Sequence, residues 1–390
     1  MTQHFAAKFV PSRPWPTTSK LQFSGFESCD GRRMSLPVDP RKGTPDPTVS
    51  QEEFKRRFLA QYIDPAFAPL AAELDRIATA AYEGYSNSRK SPRTRQAGPG
   101  FADPDYDLAC DWIAAQAAVR RAQAEHDDPG GPARFLLINA SSRSEHTCPG
   151  EMSKSYRLIQ LAHEILAGAA GTTVQILDLS RLASEYGRKI YPCKACFSTA
   201  APLCHWPCSC YPNYSLGQTQ DWMNEIYPQW VAAHGVMIVT PVNWYQVSSP
   251  LKLMMDRLVC ADGGNPDPTS THGKDAAAAK QLELAGWPYE RHLKGRQFAL
   301  VVHGDAAGAE GVRRSLADWL TSMELTAAAA LDRYIGYWQP YATSHEELDE
   351  DKAVQEEVRN VARSLLEGVL AMRSGRQIAP GAELEAPRNK

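Results

Sequence analysis

The chain has 390 residues, more than a typical single domain, so one core with extensions, or two domains, is expected. Its 43% apolar content suffices for a sizeable core, and a formal net charge of -3 argues against nucleic acid or a membrane surface as the bulk partner. Apolar runs such as "FLLI" and "VMIV" are far too short to span a bilayer, and the opening "MTQHFAAKFVPSRPWP" has no apolar signal region. A cytoplasmic protein is expected, with nine cysteines serving as thiols, metal ligands or redox groups rather than structural disulfides.

In chain order, residues 1–50 are rich in Pro, Ser and Gly and read as an extended or partly disordered arm. Residues 51–130 read as a helical extension suited to oligomer contacts. Helical composition over 51–83 breaks near Pro65, the basic stretch "GYSNSRKSPRTRQAGPG" is a solvated loop, and a second helix covers 104–126. At residue 134 the character changes. "RFLLINA" is a first strand, followed by a helix over roughly 152–169 and a second strand, "TVQILDL". A cysteine-rich insertion over 191–217 precedes a helix at 218–234 and a third strand, "VMIVTPV". The segment "SPLKLMMDRLV" is helical, with Asp256 and Arg257 closing it in a structural ion pair. "QFALVVHG" is a fourth strand, 309–325 a helix, and a fifth strand falls within 327–338. The last helix, about 350–373, opens on acidic residues as its dipole favours. Residues 131–374 thus form one domain, and 375–390 a flexible tail.

Strands alternating with helices specify a doubly wound parallel sheet. Five strands without a GxGxxG motif point to the flavodoxin-like order 2-1-3-4-5 rather than a dinucleotide fold. The expected fold is therefore α/β: a flavodoxin-like, doubly wound, five-stranded parallel sheet with a helical N-terminal extension.

A ligand of such a sheet lies beyond the carboxyl ends of the strands, where the strand order reverses. The loop after the first strand, "NASSRSEHTCPGEMSKS", offers Ser141, Arg143 and Ser144, then Ser153, Lys154 and Ser155 at the start of a helix. Convergent hydroxyls, amides and a cation at a helix N-terminus are what a phosphate requires. The loop after the third strand, "TPVNWYQVSSPLK", sets Pro241, Val242, Asn243, Trp244 and Tyr245 at the switch point, where a flat, polar-edged ring would find aromatic surface and amides. The loop after the fourth strand, "HGDAAGAEG", adds His303, Gly304 and Asp305, with glycines that permit close backbone approach.

Taken together, "INASSRS…SKS", "TPVNWYQVSSPLKLMMDRL" and "VVHGDAAGAEG" resemble the NADPH-dependent FMN reductase family of flavodoxin-like proteins, over about residues 134–325. Ala140 departs from the glycine usual there, and the loop from Glu145 to Glu151 is longer. The resemblance implies FMN, its phosphate on Ser141, Arg143, Ser153 and Ser155, and its ring against Pro241–Tyr245 near His303, Gly304 and Asp305. It also implies NAD(P)H as co-substrate: a hydride passes to FMN, and the electrons then pass to a small-molecule acceptor such as a quinone, flavin, metal ion or nitro/azo compound.

The insertion carries Cys193, Cys196, Cys204, Cys208 and Cys210. It resembles the cysteine-bearing branch that includes the iron–sulfur flavoproteins, although their CxxCxxC run is tighter. Four thiolates can hold a [4Fe–4S] cluster or a tetrahedral zinc, His205 adds a nitrogen, and free thiols permit dithiol exchange; spacing does not choose among them. Cys29, Cys110, Cys148 and Cys260 are scattered and read as unreactive, and "DGGNPDPTSTHGK" (262–274) as a structured loop or lid at the flavin, with Asp262, Asp267 and His272 in turn-forming roles.

The expected protein is thus an FMN-dependent NAD(P)H oxidoreductase, acting as a homodimer or homotetramer with no nucleic-acid or membrane partner. Two other readings stand beside it. One is an iron–sulfur flavoprotein electron carrier without nicotinamide turnover; the other is a zinc-stapled, non-enzymatic flavodoxin-like module.

Overall fold

The structure is a computed structural model and describes residues 47–147, 153–304, 307–336 and 344–376. Most of the expected N-terminal arm, most of the C-terminal tail, Cys29, Cys148 and Asp305 lie outside the described residues.

Helices α1 (Gln51–Leu59) and α2 (Ala71–Ser86) come first, α1 capped by Ser50, whose Oγ accepts the Glu53 N–H at 3.2 Å. A short antiparallel ladder, Thr94–Gln96 on Asp107–Ala109, leads into α3 (Cys110–Asp127). The Pro/Gly-rich stretch before it had read wholly as loop, and the helix begins six residues later than the composition predicts.

The core sheet consists of β1 (Ala133–Asn139), β2 (Thr172–Asp178), β3 (Gly235–Pro241), β4 (Gln297–Gly304) and β5 (Thr326–Tyr334). All four pairings are parallel, in the order 2-1-3-4-5. This is the flavodoxin-like order expected. The helices are α4 (Lys154–Ala167), α5 (Met223–Ala232), α6 (Ser249–Arg257), α7 (Ala276–Leu284), α8 (Ala309–Ser322), α9 (Ser344–Glu350) and α10 (Lys352–Arg373).

The strands are near-continuous aliphatic runs because both faces of the sheet are covered. Successive side chains point to opposite faces, so each run feeds two cores. Leu136, Ile138, Val236, Ile238, Phe298, Leu300 and Val302 join one cluster, with residues of α3, α5, α6 and α8. Phe135, Leu137, Met237, Val239, Ala299 and Val301 join the other, with α4 and α10. Helix α3 therefore belongs to the packing of the sheet through Val119 and Ala122.

The ion pair at the end of α6 differs from the simplest reading of adjacent Asp256 and Arg257. Asp256 pairs with Lys252, one turn back. The Arg257 guanidinium instead bonds the Asp221 carboxylate at 3.0 and 2.5 Å and the Tyr191 carbonyl at 3.0 Å, with both charged side chains buried. This fork ties the start of the cysteine segment to the beginning of α5 and the end of α6.

Candidate functional site

The reversal of strand order falls between β1 and β3, and the loops after β1, β3 and β4 lie together at that edge. Pro241 is in register with His303, and Val239 with Asn139.

The β1 loop is held from beneath. Asn139 is buried; its Nδ2 donates to Asp178 at 2.7 Å and its Oδ1 accepts the Ser141 N–H at 3.3 Å. Ser141 Oγ accepts the Arg143 N–H at 3.1 Å, and Ser144 Oγ accepts that of His146 at 3.2 Å. These are serine turns, in which a side chain stands in for a backbone acceptor. Ser248, the N-cap of α6, also donates its hydroxyl to the Ala140 carbonyl, tying the β1 and β3 loops together. Ser153 caps α4 by accepting the Tyr156 N–H at 3.2 Å, so Lys154 and Ser155 occupy the first helical turn, where backbone N–H groups have no intrahelical acceptor.

The β3 loop is a tight turn. The Val242 N–H reaches the His303 carbonyl at 2.8 Å, and Asn243 and Gln246 exchange backbone bonds at 2.8 and 2.9 Å. Between them Trp244 (φ 48°) and Tyr245 (φ 64°) both take the left-handed backbone, as a type I′ turn requires. That conformation costs an L-residue roughly 1–2 kcal/mol each, and neither side chain recovers the cost by burial. Trp244 is 94% exposed and Tyr245 65%. A strained turn presenting two uncovered aromatic rings is a feature that points to a ligand.

The β4 loop completes this edge. His303 is buried and its Nε2 lies 2.8 Å from Ser155 Oγ, joining the end of β4 to the first turn of α4. Burial, reinforced by the Lys154 cation, pushes the His303 pKa down to about 4, so the imidazole is neutral in ordinary buffers. Gly308 (φ 113°) sits where a Cβ would come within 3.1 Å of the Tyr245 Cα, so only glycine fits that close an approach.

The sequence-derived residues of all three loops, Asp305 excepted, are therefore brought together: Ser141, Arg143, Ser144, Ser153, Lys154, Ser155, Pro241, Val242, Asn243, Trp244, Tyr245, His303 and Gly304. Sequence reasoning did not single out Asn139 and Ser248. The Ser-Ser-Pro run at 248–250 is a helix-start signal, but the bond from Ser248 to Ala140 has no local signature. A separate cavity of about 270 Å³ opens between α3, α5 and the amino ends of β1 and β2, lined among others by Arg121, Arg134, Gln175 and Gln229, and none of the three loops borders it.

The cysteine segment forms a second cluster. Cys204, Cys208 and Cys210 are buried; Cys193 and Cys196 are half-buried. The Cys196 and Cys210 sulfurs lie 3.4 Å apart. The hydrogen bond with Cys210, aided by the Lys274 cation and opposed by burial, brings the Cys196 thiol down to about 6. Burial alone would lower the pKa of Lys274, but the sulfurs of Cys210, Cys196, Cys208 and Cys204 hold it above its ordinary value. The Lys274 ammonium also donates to the Leu203 carbonyl at 2.7 Å. Cys260 also lies near this cluster: it is buried, and burial and then its neighbour Cys208 push its pKa up, in keeping with an unreactive thiol.

Loop 262–274 covers this segment. Trp206 N–H bonds the Asn265 carbonyl and Asn265 N–H the Cys204 carbonyl, both at 2.7 Å. Asp267 caps the Thr269 N–H at 2.9 Å, as the turn-forming reading has it, whereas Asp262 instead pairs with Arg291 at 2.6 Å. His205 meets Ser209 Oγ at 2.6 Å and Thr271 Oγ1 at 3.1 Å, so both ring nitrogens face hydroxyls. Among the described residues, no group of three or more His, Cys, Asp or Glu side chains is placed to hold a metal ion.

One glycine here allows a sharp test. A Cβ on Gly264 would collide with the Cys260 carbonyl oxygen, a backbone atom that cannot swing aside. Gly264→Ala is expected to destabilise the protein by about 1–3 kcal/mol, measured by chemical denaturation, whereas Gly286→Ala meets no atom and strains only its own backbone.

The strand order defines a flavodoxin-like α/β protein, a fold whose ligands lie at the switch point of the sheet. The profile of the NADPH-dependent FMN reductases matches residues 133–337, more than half of the chain, and the chain belongs to that family. It is an FMN-dependent oxidoreductase of the NAD(P)H-using type, which sets aside the zinc-stapled, non-enzymatic module.

Solved structures similar to it include RosB with the bound intermediate 8-demethyl-8-formylriboflavin-5'-phosphate (14% identity over 66% of this chain and 96% of that one, TM-score 0.40). Others are an NADH:FMN oxidoreductase in its apo form (12%, 64% and 92%, 0.35) and the NAD(P)H:quinone oxidoreductase of Methanothermobacter marburgensis (15%, 63% and 96%, 0.32). No curated protein matches the chain in sequence. Among the described residues no helix is long and apolar enough to cross a membrane.

Proposed function

We propose that FMN binds in the crevice between the β1, β3 and β4 loops. Its phosphate lies on Ser141, Arg143, Ser144, Ser153, Lys154 and Ser155, and its ring lies against Pro241, Val242, Asn243, Trp244 and Tyr245, beside His303, Gly304 and Asp305. The observation that carries this reading is the Asn243–Gln246 turn, two aromatic residues held in left-handed backbone with their rings uncovered.

The donor set fits the group. Serine hydroxyls, a guanidinium and the first-turn amides of α4 suit a phosphate dianion, and the helix dipole adds to the attraction. Bound FMN supplies the redox chemistry, accepting electrons from reduced nicotinamide and handing them to an acceptor. Neutral His303 keeps Ser155 in place without adding charge to the site. The exposure of Trp244 and Tyr245 leaves this edge of the site open to solvent, so a second flat molecule can approach the flavin. That openness favours a small planar acceptor, such as a quinone, a flavin or a nitro/azo compound. A homodimer or homotetramer is part of this proposal, supported by the exposed Ile63, Leu70 and Ile77 around α1 and α2, and a cytoplasmic location is proposed with it.

The anaerobic visible spectrum before and after NADPH tests the function: a flavin double band that bleaches is expected. A flavin band that ignored both nicotinamides would return the electron-carrier reading. Loss of a charge-assisted phosphate bond in Arg143→Ala is expected to weaken FMN roughly 10- to 100-fold, read by fluorescence titration. Trp244→Ala should lose affinity as well, and variants that both retain full flavin would show the site to be wrongly placed.

A further inference from the structure

We propose that Cys196 and Cys210 form a second redox site, a dithiol that exchanges with low-molecular-weight disulfides. This lies beyond the flavin reading and does not depend on it. Their sulfurs, fourteen residues apart in the chain, are already 3.4 Å from one another. Closing to a disulfide bond of about 2.05 Å requires an approach of roughly 1.4 Å. The environments of the two differ in the way an attacking and a resolving thiol require. Cys196 is half-buried on a single helical turn, between exposed Lys194 and Ala195 on one side and exposed Ser198 and Thr199 on the other. Cys210 is buried behind it. The Lys274 ammonium lies among these sulfurs and offsets negative charge that develops on them. Cys204, Cys208 and Cys260 are buried and so have no access to a disulfide from solution.

The step balances. Cys196 Sγ, having given up its proton, attacks one sulfur of RSSR; the S–S bond of the substrate breaks, and RS⁻ leaves and takes up a proton. Cys210 then releases its proton, its Sγ attacks Cys196 Sγ, and the second RS⁻ leaves to be protonated. Two protein thiols and RSSR become one protein disulfide and two RSH, with two electrons passing from the protein to the substrate.

The test uses the full chain, reduced, desalted without air and mixed with oxidised glutathione. A digest is expected to yield the linked peptide pair Cys196–Cys210, reversible by dithiothreitol, with two glutathiones released for each pair formed. Cys210→Ser should stop at glutathione on Cys196, with only one glutathione released. Cys196→Ser should abolish the exchange, and Cys193→Ser should react like the wild type although Cys193 is also half-buried. A thermal melt by circular dichroism equal to wild type checks that each variant is folded, and the mapping on the wild type stands even if one is not. An unreactive Cys196, a disulfide mapped to another pair, or tightly bound iron or zinc that must be stripped before Cys196 reacts would each overturn the proposal. Because the readout is thiol chemistry, its failure leaves the FMN assignment untouched, and loss of flavin leaves the thiol result legible.

Discussion

Asp221→Ala is expected to cost about 3–5 kcal/mol of stability, because it leaves the Arg257 guanidinium charged and buried without its counter-ion. The side chains are 1% and 0% exposed, so water cannot take over the role of the carboxylate. The surroundings of Arg257 are otherwise set for a cation. The Tyr211 ring lies 4.7 Å away, and the Tyr191 carbonyl accepts a hydrogen bond. Its own carbonyl receives the Tyr227 hydroxyl at 2.9 Å. Burial disfavours the charged form, yet its neighbours Tyr227, Cys208 and Asp221 hold its pKa well above the ordinary arginine value. Thermal melting should fall on the order of 5–10 °C. Asp221→Asn, which keeps a hydrogen-bond acceptor but no charge, should fall between. The double variant Asp221→Leu with Arg257→Met should recover much of the loss, since the pair is worth little against an apolar replacement. A single Asp221→Ala variant melting within a degree of wild type would refute the account.

That pair also shows where reading the sequence ends. The strands were legible because two-sided burial leaves continuous aliphatic runs, and "FLLI", "VMIV" and "FALVV" each fall inside a strand of the sheet. The fifth strand was only bracketed, since "TAAAALDRY" is rich in alanine, a poor strand former. It is fixed instead by its pairing with β4, which tolerates a register shift at Phe298 and Ala299. The loops of the site were legible through chain order and the switch-point rule, which need no side-chain detail. Their mutual bonds were not. Ser155 and His303 are 148 residues apart, and Ser248 meets a carbonyl 108 residues away. Neither has a local signature, because hydroxyls bond whatever the fold brings near. The same holds for Lys274, which follows the cysteines by 64 residues or more, and for Cys260, whose place beside Cys208 depends on the whole course of α6.

His303 makes the protein acid-sensitive in a definite window. Its folded pKa is about 4 against an ordinary 6.5, chiefly from burial and then from Lys154. Below pH 6.5 the unfolded chain binds a proton there that the folded chain refuses, so stability falls as pH falls and the loss is complete near pH 4. At about 1.4 kcal/mol per pH unit, the loss from this one side chain is roughly 3 kcal/mol. His234, lowered to about 4 by burial and then by His126 and Arg373, acts in the same direction. Above pH 7 neither contributes a slope. The urea midpoint is therefore expected to be flat in these groups above neutrality and to drop between pH 6.5 and 4.5. His303→Gln keeps a hydrogen-bonding partner for Ser155 but cannot titrate, so it should remove a large part of that drop while lowering the midpoint little at pH 7.5. An undiminished acid slope in His303→Gln would mean that His303 takes up its proton in the folded state. The contact joining β4 to the first turn of α4 would then be a hydrogen bond from a charged imidazolium to the Ser155 hydroxyl.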